Sequence, residues 1–168
     1  MKSRARVLAT AFAVCISASF LLAQSEKPAV LTVDQLKQSV PSTYFFRGQS
    51  ATVQIRNSGG LRIGKDSLVL AALVDTGGYA QNIQQKYQGL FITEVKLNIG
   101  GSSLAPGEYG FGFSDGKFRV LDVASNELLA ADFKSDDNLK RPVPLKLVEE
   151  SGEYRLYAGR KYVAIKVE

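Results

Sequence analysis

The sequence predicts a mainly β fold, an antiparallel β-barrel or β-sandwich of about eight or nine short strands with one or two short helices. Three observations carry this expectation. Apolar and polar residues alternate through most segments after residue 50, and clusters of Gly, Asn, Asp, Ser and Pro separate those segments. Helical spacing is confined to two brief stretches.

The chain opens in the order of a secretory signal. Lys2, Arg4 and Arg6 give a positive start, and Val7 to Ala23 follows without a charge and with many small residues. A cleavable signal over residues 1–23 is expected, cut after Leu21-Leu22-Ala23 or, as a second choice, at Ala18. The apolar stretch is short for a membrane span of about 20 residues, and no later stretch approaches that length. The expectation is therefore an exported chain, periplasmic or extracellular, with no stable membrane span after processing. Cys15 suits a lipidated first residue poorly, because Val14 precedes it and the apolar run continues past it. Processing near Ala23 removes this single cysteine, leaving neither disulfide nor thiol nucleophile.

Residues 24–50 read as an N-terminal leader with a short helix. Thr32 and Gln35 have the spacing of a capping box, and Pro41 ends the helix by biasing Val40 towards an extended conformation. Residues 51–168 read as a β-rich domain. Ala51, Val53 and Ile55 alternate with polar residues up to Asn57-Ser58-Gly59-Gly60, where the strand is expected to end. Ser67 to Val74 is apolar on both faces, as in a strand covered on both sides. Tyr79, Ile83 and Tyr87 recur every fourth residue, which predicts a helix from Tyr79 to Gln88 lying over that strand.

The longest alternation runs from Phe91 through Thr93, Val95 and Leu97 to Ile99, closed by Gly100-Gly101. Glu108 to Phe113, Phe118 to Val123 and Glu127 to Phe133 follow as a meander, turning at Ser114-Asp115-Gly116 and Ser125-Asn126. Gly110 and Gly112, set between aromatics, are expected to mark a bend. Lys134 to Pro144 is a polar loop. Leu145 to Val148, Glu153 to Tyr157 and Arg160 to Val167 complete the strands.

Composition narrows the chemistry. The chain has no histidine, which excludes Ser-His-Asp and Cys-His catalysis, His-ligated zinc and imidazole general bases. Of 21 Lys+Arg, the three at Lys2, Arg4 and Arg6 leave with the signal; the remaining 18 face 16 Asp+Glu, a net charge of +2. These charges are scattered, with no basic run longer than Lys140-Arg141 or Arg160-Lys161, so nucleic acid is not an expected partner. No cofactor is expected, and no metal: Asp136-Asp137-Asn138 lacks the spaced ligands of a calcium loop and reads as a solvated loop.

Leu73-Val74-Asp75-Thr76-Gly77-Gly78 resembles the catalytic turn of retropepsin-type aspartic proteases. The resemblance implies a homodimer in which two copies of Asp75 share a proton, with Thr76 bracing the turn and Gly77 admitting the backbone. It covers six residues; Gly78 stands where the family has Ala or Ser, and the family's second glycine signature has no counterpart downstream. The same residues also compose an ordinary turn after a strand.

Aromatic and basic residues cluster around Tyr44 and Arg47, and again at Tyr154, Arg155, Tyr157 and Tyr162. Such pairs suit a sugar, peptide or anionic ligand, and they also suit half-packed strand positions. The function expected from the sequence is a non-enzymatic exported β-domain that binds a small ligand or an envelope protein. The alternatives are the dimeric aspartic protease and a structural or assembly protein of the envelope.

Overall fold

The computed structural model describes residues 27–168, so the expected signal segment, with Cys15, lies outside the described residues. In chain order the first elements are β1 (Ala29–Val30), α1 (Val33–Ser39), β2 (Thr43–Phe46), β3 (Gln49–Ile63), β4 (Ser67–Val74), α2 (Gln81–Gln84), β5 (Gly89–Thr93) and β6 (Leu97–Ile99). There follow β7 (Ser102–Leu104), β8 (Gly107–Ser114), β9 (Lys117–Leu121), β10 (Glu127–Asp132), β11 (Lys134–Ser135), β12 (Val143–Glu150), β13 (Glu153–Gly159) and β14 (Lys161–Val167). Nine of the described strands have five or more residues. The other five are short pairings at edges and corners.

Every strand pair is antiparallel, and the strands form two sheets. The first runs β1-β3-β4-β5-β8-β9-β10, with β2 hairpinned onto β3. The second runs β12-β13-β14-β6-β7, with β11 beside β14. The sheets stack as a sandwich rather than closing into a barrel. Leu61, Phe91, Phe111, Phe118 and Val120 from the first pack against Leu97, Ile99, Leu147, Leu156 and Val163 from the second.

The first sheet is covered on its outer face too, as the two-faced run Ser67–Val74 requires. Val69 and Ala71 enter the inter-sheet core, while Leu70, Ala72 and Val74 enter a second cluster with Leu31, Leu36, Val40, Tyr44, Phe46, Tyr79 and Tyr87. Within the segment 24–50, set apart in the sequence as a leader, Leu31, Leu36, Val40, Tyr44 and Phe46 thus pack in the outer layer of the β domain. The Thr32 hydroxyl accepts from the Gln35 N–H, the Gln35 side chain accepts from the Thr32 N–H, and Val40 is extended before Pro41.

Three local expectations are corrected. The helix over Tyr79–Gln88 is a single turn, Gln81–Gln84, because Gln88 is drawn into sheet pairing: its N–H donates to Phe111 O and its carbonyl accepts from Val74 N. Tyr79 and Tyr87 nonetheless cover the sheet, with Ile83 packed beside them. The strand does not end at Asn57-Ser58-Gly59-Gly60. It bulges between Gln54 and Ser58 and continues to Ile63, because Gly59 and Gly60 serve close approach rather than turning. A Cβ on Gly59 would stand 2.6 Å from the Leu147 backbone nitrogen, where the two sheets cross.

The alternation Phe91–Ile99 is not one strand. β5 lies in the first sheet and β6 in the second. Between them the Thr93 hydroxyl donates to Val95 O at 2.6 Å, and the Glu94 carboxylate accepts from Leu68 N, turning a corner. Phe91, Thr93, Leu97 and Ile99 stay buried on both sides of that corner, since both sheets face one core.

Candidate functional site

The residues singled out in the sequence fall into separate places. Tyr44 is a core residue: its ring stacks near Phe46, its hydroxyl is buried without a partner, and burial pushes its phenol well above the ordinary range. Arg47 is a clip. Its N–H donates to Val123 O and its guanidinium to Ala124 O, tying the β2–β3 turn to the β9–β10 loop. Tyr154 points inward, buried in the inter-sheet core, and its hydroxyl donates to Pro28 O at 2.5 Å.

Asp75 stands exposed just past β4, in a turn. Its Oδ1 accepts from the Gly77 N–H at 3.1 Å, its own N–H donates to Thr52 O, and the Thr76 carbonyl accepts from Tyr79 N. These are the bonds of a chain reversal that delivers Tyr79 to the outer cluster. Gly77 and Gly78 are exposed beside it.

Arg155, Tyr157 and Tyr162 do converge. Tyr157 and Tyr162 are a cross-strand pair on β13 and β14, with rings 5.1 Å apart, on the face of the second sheet away from the core. The Arg155 guanidinium lies 4.6 Å from the Tyr162 ring centroid, in cation–π contact. Its Nη1 donates to Glu150 at 3.0 Å and its Nη2 to Glu153 at 3.4 Å, while its Nε is buried without a partner.

The loop after β11 roofs this face. Arg160 holds that loop by donating to the carbonyls of Asp137 and Leu139, and the Asp136 N–H donates back to Arg160 O. Beneath it Tyr157 is 2% exposed, and its hydroxyl lies 2.7 Å from Glu150 and 3.1 Å from Asp136. Burial, reinforced by the hydrogen bond to Glu150, pushes the Tyr157 phenol up to about 12. A cleft of about 530 Å³ opens over these groups, lined by Asp136, Asp137, Lys140, Glu150, Arg155 and Tyr162 among others.

Glu150 and Asp136 are the members that sequence reasoning did not assign to a site. Ser151-Gly152, both in the left-handed region, form a two-residue turn that sets Glu150 opposite Glu153 and near Arg155. That turn is the signal that points to Glu150. Asp136 reaches Tyr157 only through the loop fold, which no local pattern encodes. Among the described residues no group of three or more His, Cys, Asp or Glu is placed to hold a metal, and no helix is long and apolar enough to cross a membrane.

No family model matches the chain, and neither a curated protein nor a solved structure matches it.

Proposed function

We propose that the protein is an exported, non-enzymatic β-sandwich that binds a small polar ligand in the cleft over Arg155 and Tyr162. The observation that supports this reading is the convergence of Arg155 and Tyr162, from two strands, on one concave surface with Glu150 and Asp136, braced from beneath by the buried Tyr157. A binding site needs such a concavity with a few fixed polar groups and an apolar face, and rigid strands supply the fixing.

The charges favour one ligand class over another. Asp136, Asp137 and Glu150 outnumber Lys140 and Arg155 along the cleft, and Arg155 is already paired to two carboxylates. An anion finds little here. Carboxylates that accept from hydroxyls, beside an aromatic ring, suit a neutral oligosaccharide.

Calorimetric titration of the purified protein with a panel of neutral oligosaccharides tests the site. At least one is expected to bind, and Tyr162→Ala to weaken that binding about tenfold or more. Absence of binding across the panel, or binding indifferent to Tyr162→Ala, removes the reading. N-terminal sequencing of the exported product is expected to begin at Gln24; a product starting at Met1 removes the export part.

A further inference from the structure

The outer face of the second sheet carries another cleft beside the one over Arg155. Strand alternation sets its floor: Leu145 and Leu147 enter the core, so Lys146 and Val148 point outward from β12. Lys146 stands opposite Tyr157 on β13, and Val148 opposite Arg155. The loop before β12 supplies the facing wall through Leu139 and Arg141. The volume is about 310 Å³, at the lower end of ligand-sized clefts. Leu139 and Glu150 line both clefts, so the two share a boundary and lie side by side.

The sign of the available charge reverses across that boundary. Carboxylates outnumber cations in the Arg155 cleft. Two carboxylates also border the second cleft, but both are spent, Glu149 on Lys27 and Glu150 on Arg155. Glu149 moreover lies opposite Tyr154, on the side of β12 that faces the core. Arg141 and Lys146 are exposed and have no ion-pair or hydrogen-bond partner among the described residues. The second cleft therefore offers two free cations, a guanidinium from the loop and an ammonium from the sheet, which suit an oxyanion.

We infer that the ligand of the Arg155 cleft is an acidic oligosaccharide. A neutral sugar unit lies against Tyr162, and a neighbouring unit carries an oxyanion, a uronate carboxylate or a sulfate ester, held by Arg141 and Lys146. The inference rests on the sugar-binding reading of the first cleft and extends that site past Leu139 and Glu150. The two cations act on the charged group, so they set the preference among sugars.

The test titrates the purified protein with each neutral oligosaccharide of the panel and with the same sugar oxidised at C6 to the uronate or sulfated there. The readout is the ratio of acidic to neutral affinity, and the better of the two modifications identifies the oxyanion. At low salt that ratio is expected to reach about tenfold, and to shrink as salt rises. Arg141→Gln combined with Lys146→Gln, both at exposed positions, is expected to bring it within about twofold of one. Tyr162→Ala is expected to weaken both forms, and thermal melting of each variant verifies the fold. Acidic forms that bind no tighter than neutral ones overturn the inference and leave the first-cleft reading standing. So does a preference that survives the double variant or ignores salt. Acidic binding that Tyr162→Ala does not weaken confines recognition to the second cleft and overturns the shared ligand. No binding of either form removes the sugar-binding reading and the inference with it.

Discussion

The ring of Tyr87 stacks on that of Phe46 at a centroid separation of 3.9 Å, and both rings lie where a side chain on Gly110 would stand. A Cβ there would be 2.6 Å from Phe46 Cε2 and 3.0 Å from Tyr87 Cδ2. Both rings are fully buried and have nowhere to retreat. Gly110 therefore admits the outer layer onto the sheet. Gly112 does the same for the backbone at Lys86, so the face expected to bend serves close approach. Gly110→Ala is expected to destabilise the fold by about 1–3 kcal/mol through overpacking, and Phe46→Leu in the same chain to restore part of that. Urea unfolding midpoints of the single and double variants measure it; an unchanged midpoint for Gly110→Ala means that the rings do not pack there.

How far such features can be read in advance depends on whether they are periodic. Ser67–Val74 declared itself buried on both faces because every side chain from Leu68 to Val74 is apolar, and Thr32 with Gln35 declared the start of α1 by spacing alone. The choice of sandwich was hidden by the corner at Glu94. The inward phase of Phe91 and Thr93 resumes at Leu97, so a strand that changes sheets keeps one pattern. Arg155, Tyr157 and Tyr162 were legible as one cluster because strand pairing is nearly local there, but Tyr154, grouped with them in the sequence, faces the inter-sheet core instead. Tyr44 and Arg47 were not separable from them, since only the packing of the outer layer decides which Tyr is covered and which Arg is spent on a carbonyl.

Asp75 is a turn residue in its bonding, and its variants should behave accordingly. Asp75→Ala removes the acceptor for the Gly77 N–H and is expected to cost about 0.5–1 kcal/mol. Asp75→Asn keeps an oxygen at that position and is expected to stay within about 0.5 kcal/mol of the parent. Peptide-cleavage assays of the unaltered protein are expected to show no turnover. Cleavage that Asp75→Asn abolishes would restore the aspartic protease reading.

Asp122 gives the fold an acid-sensitive joint. Its carboxylate accepts from the Asn126 side chain and N–H and from the Ala124 N–H, and these bonds, the Asn126 side chain foremost, hold it below its ordinary value of 3.8. A depressed carboxyl contributes stability that is present above the unfolded-state value and lost as pH falls through the folded-state value. The same loop supplies the Val123 and Ala124 carbonyls that Arg47 grips. Melting temperatures of the parent and Asp122→Ala are expected to differ above about pH 5 and to converge towards about pH 2. Curves that stay parallel would show that the carboxylate form carries no linkage.

Tyr157 tests the polar cleft from the opposite end of the pH scale. Six of the seven tyrosines, Tyr157 among them, hold their phenol protons more tightly in the fold than in the open chain, burial being the first cause in each. For Tyr157 the stabilisation is whole below the ordinary value of 10.0 and lost as pH rises from there through about 12. Tyr157→Phe removes the hydroxyl that Glu150 and Asp136 share, and near neutral pH it is expected to cost about 1–2 kcal/mol. The figure sits low in the range for charged partners because the Glu150 side chain is 47% exposed and can rehydrate. The difference in urea midpoint between parent and Tyr157→Phe should then narrow as pH climbs past about 10, since only the parent has that proton to lose. A difference that widens instead would mean that the phenolate is the form held in the fold, with Arg155 rather than the two carboxylates governing the cleft.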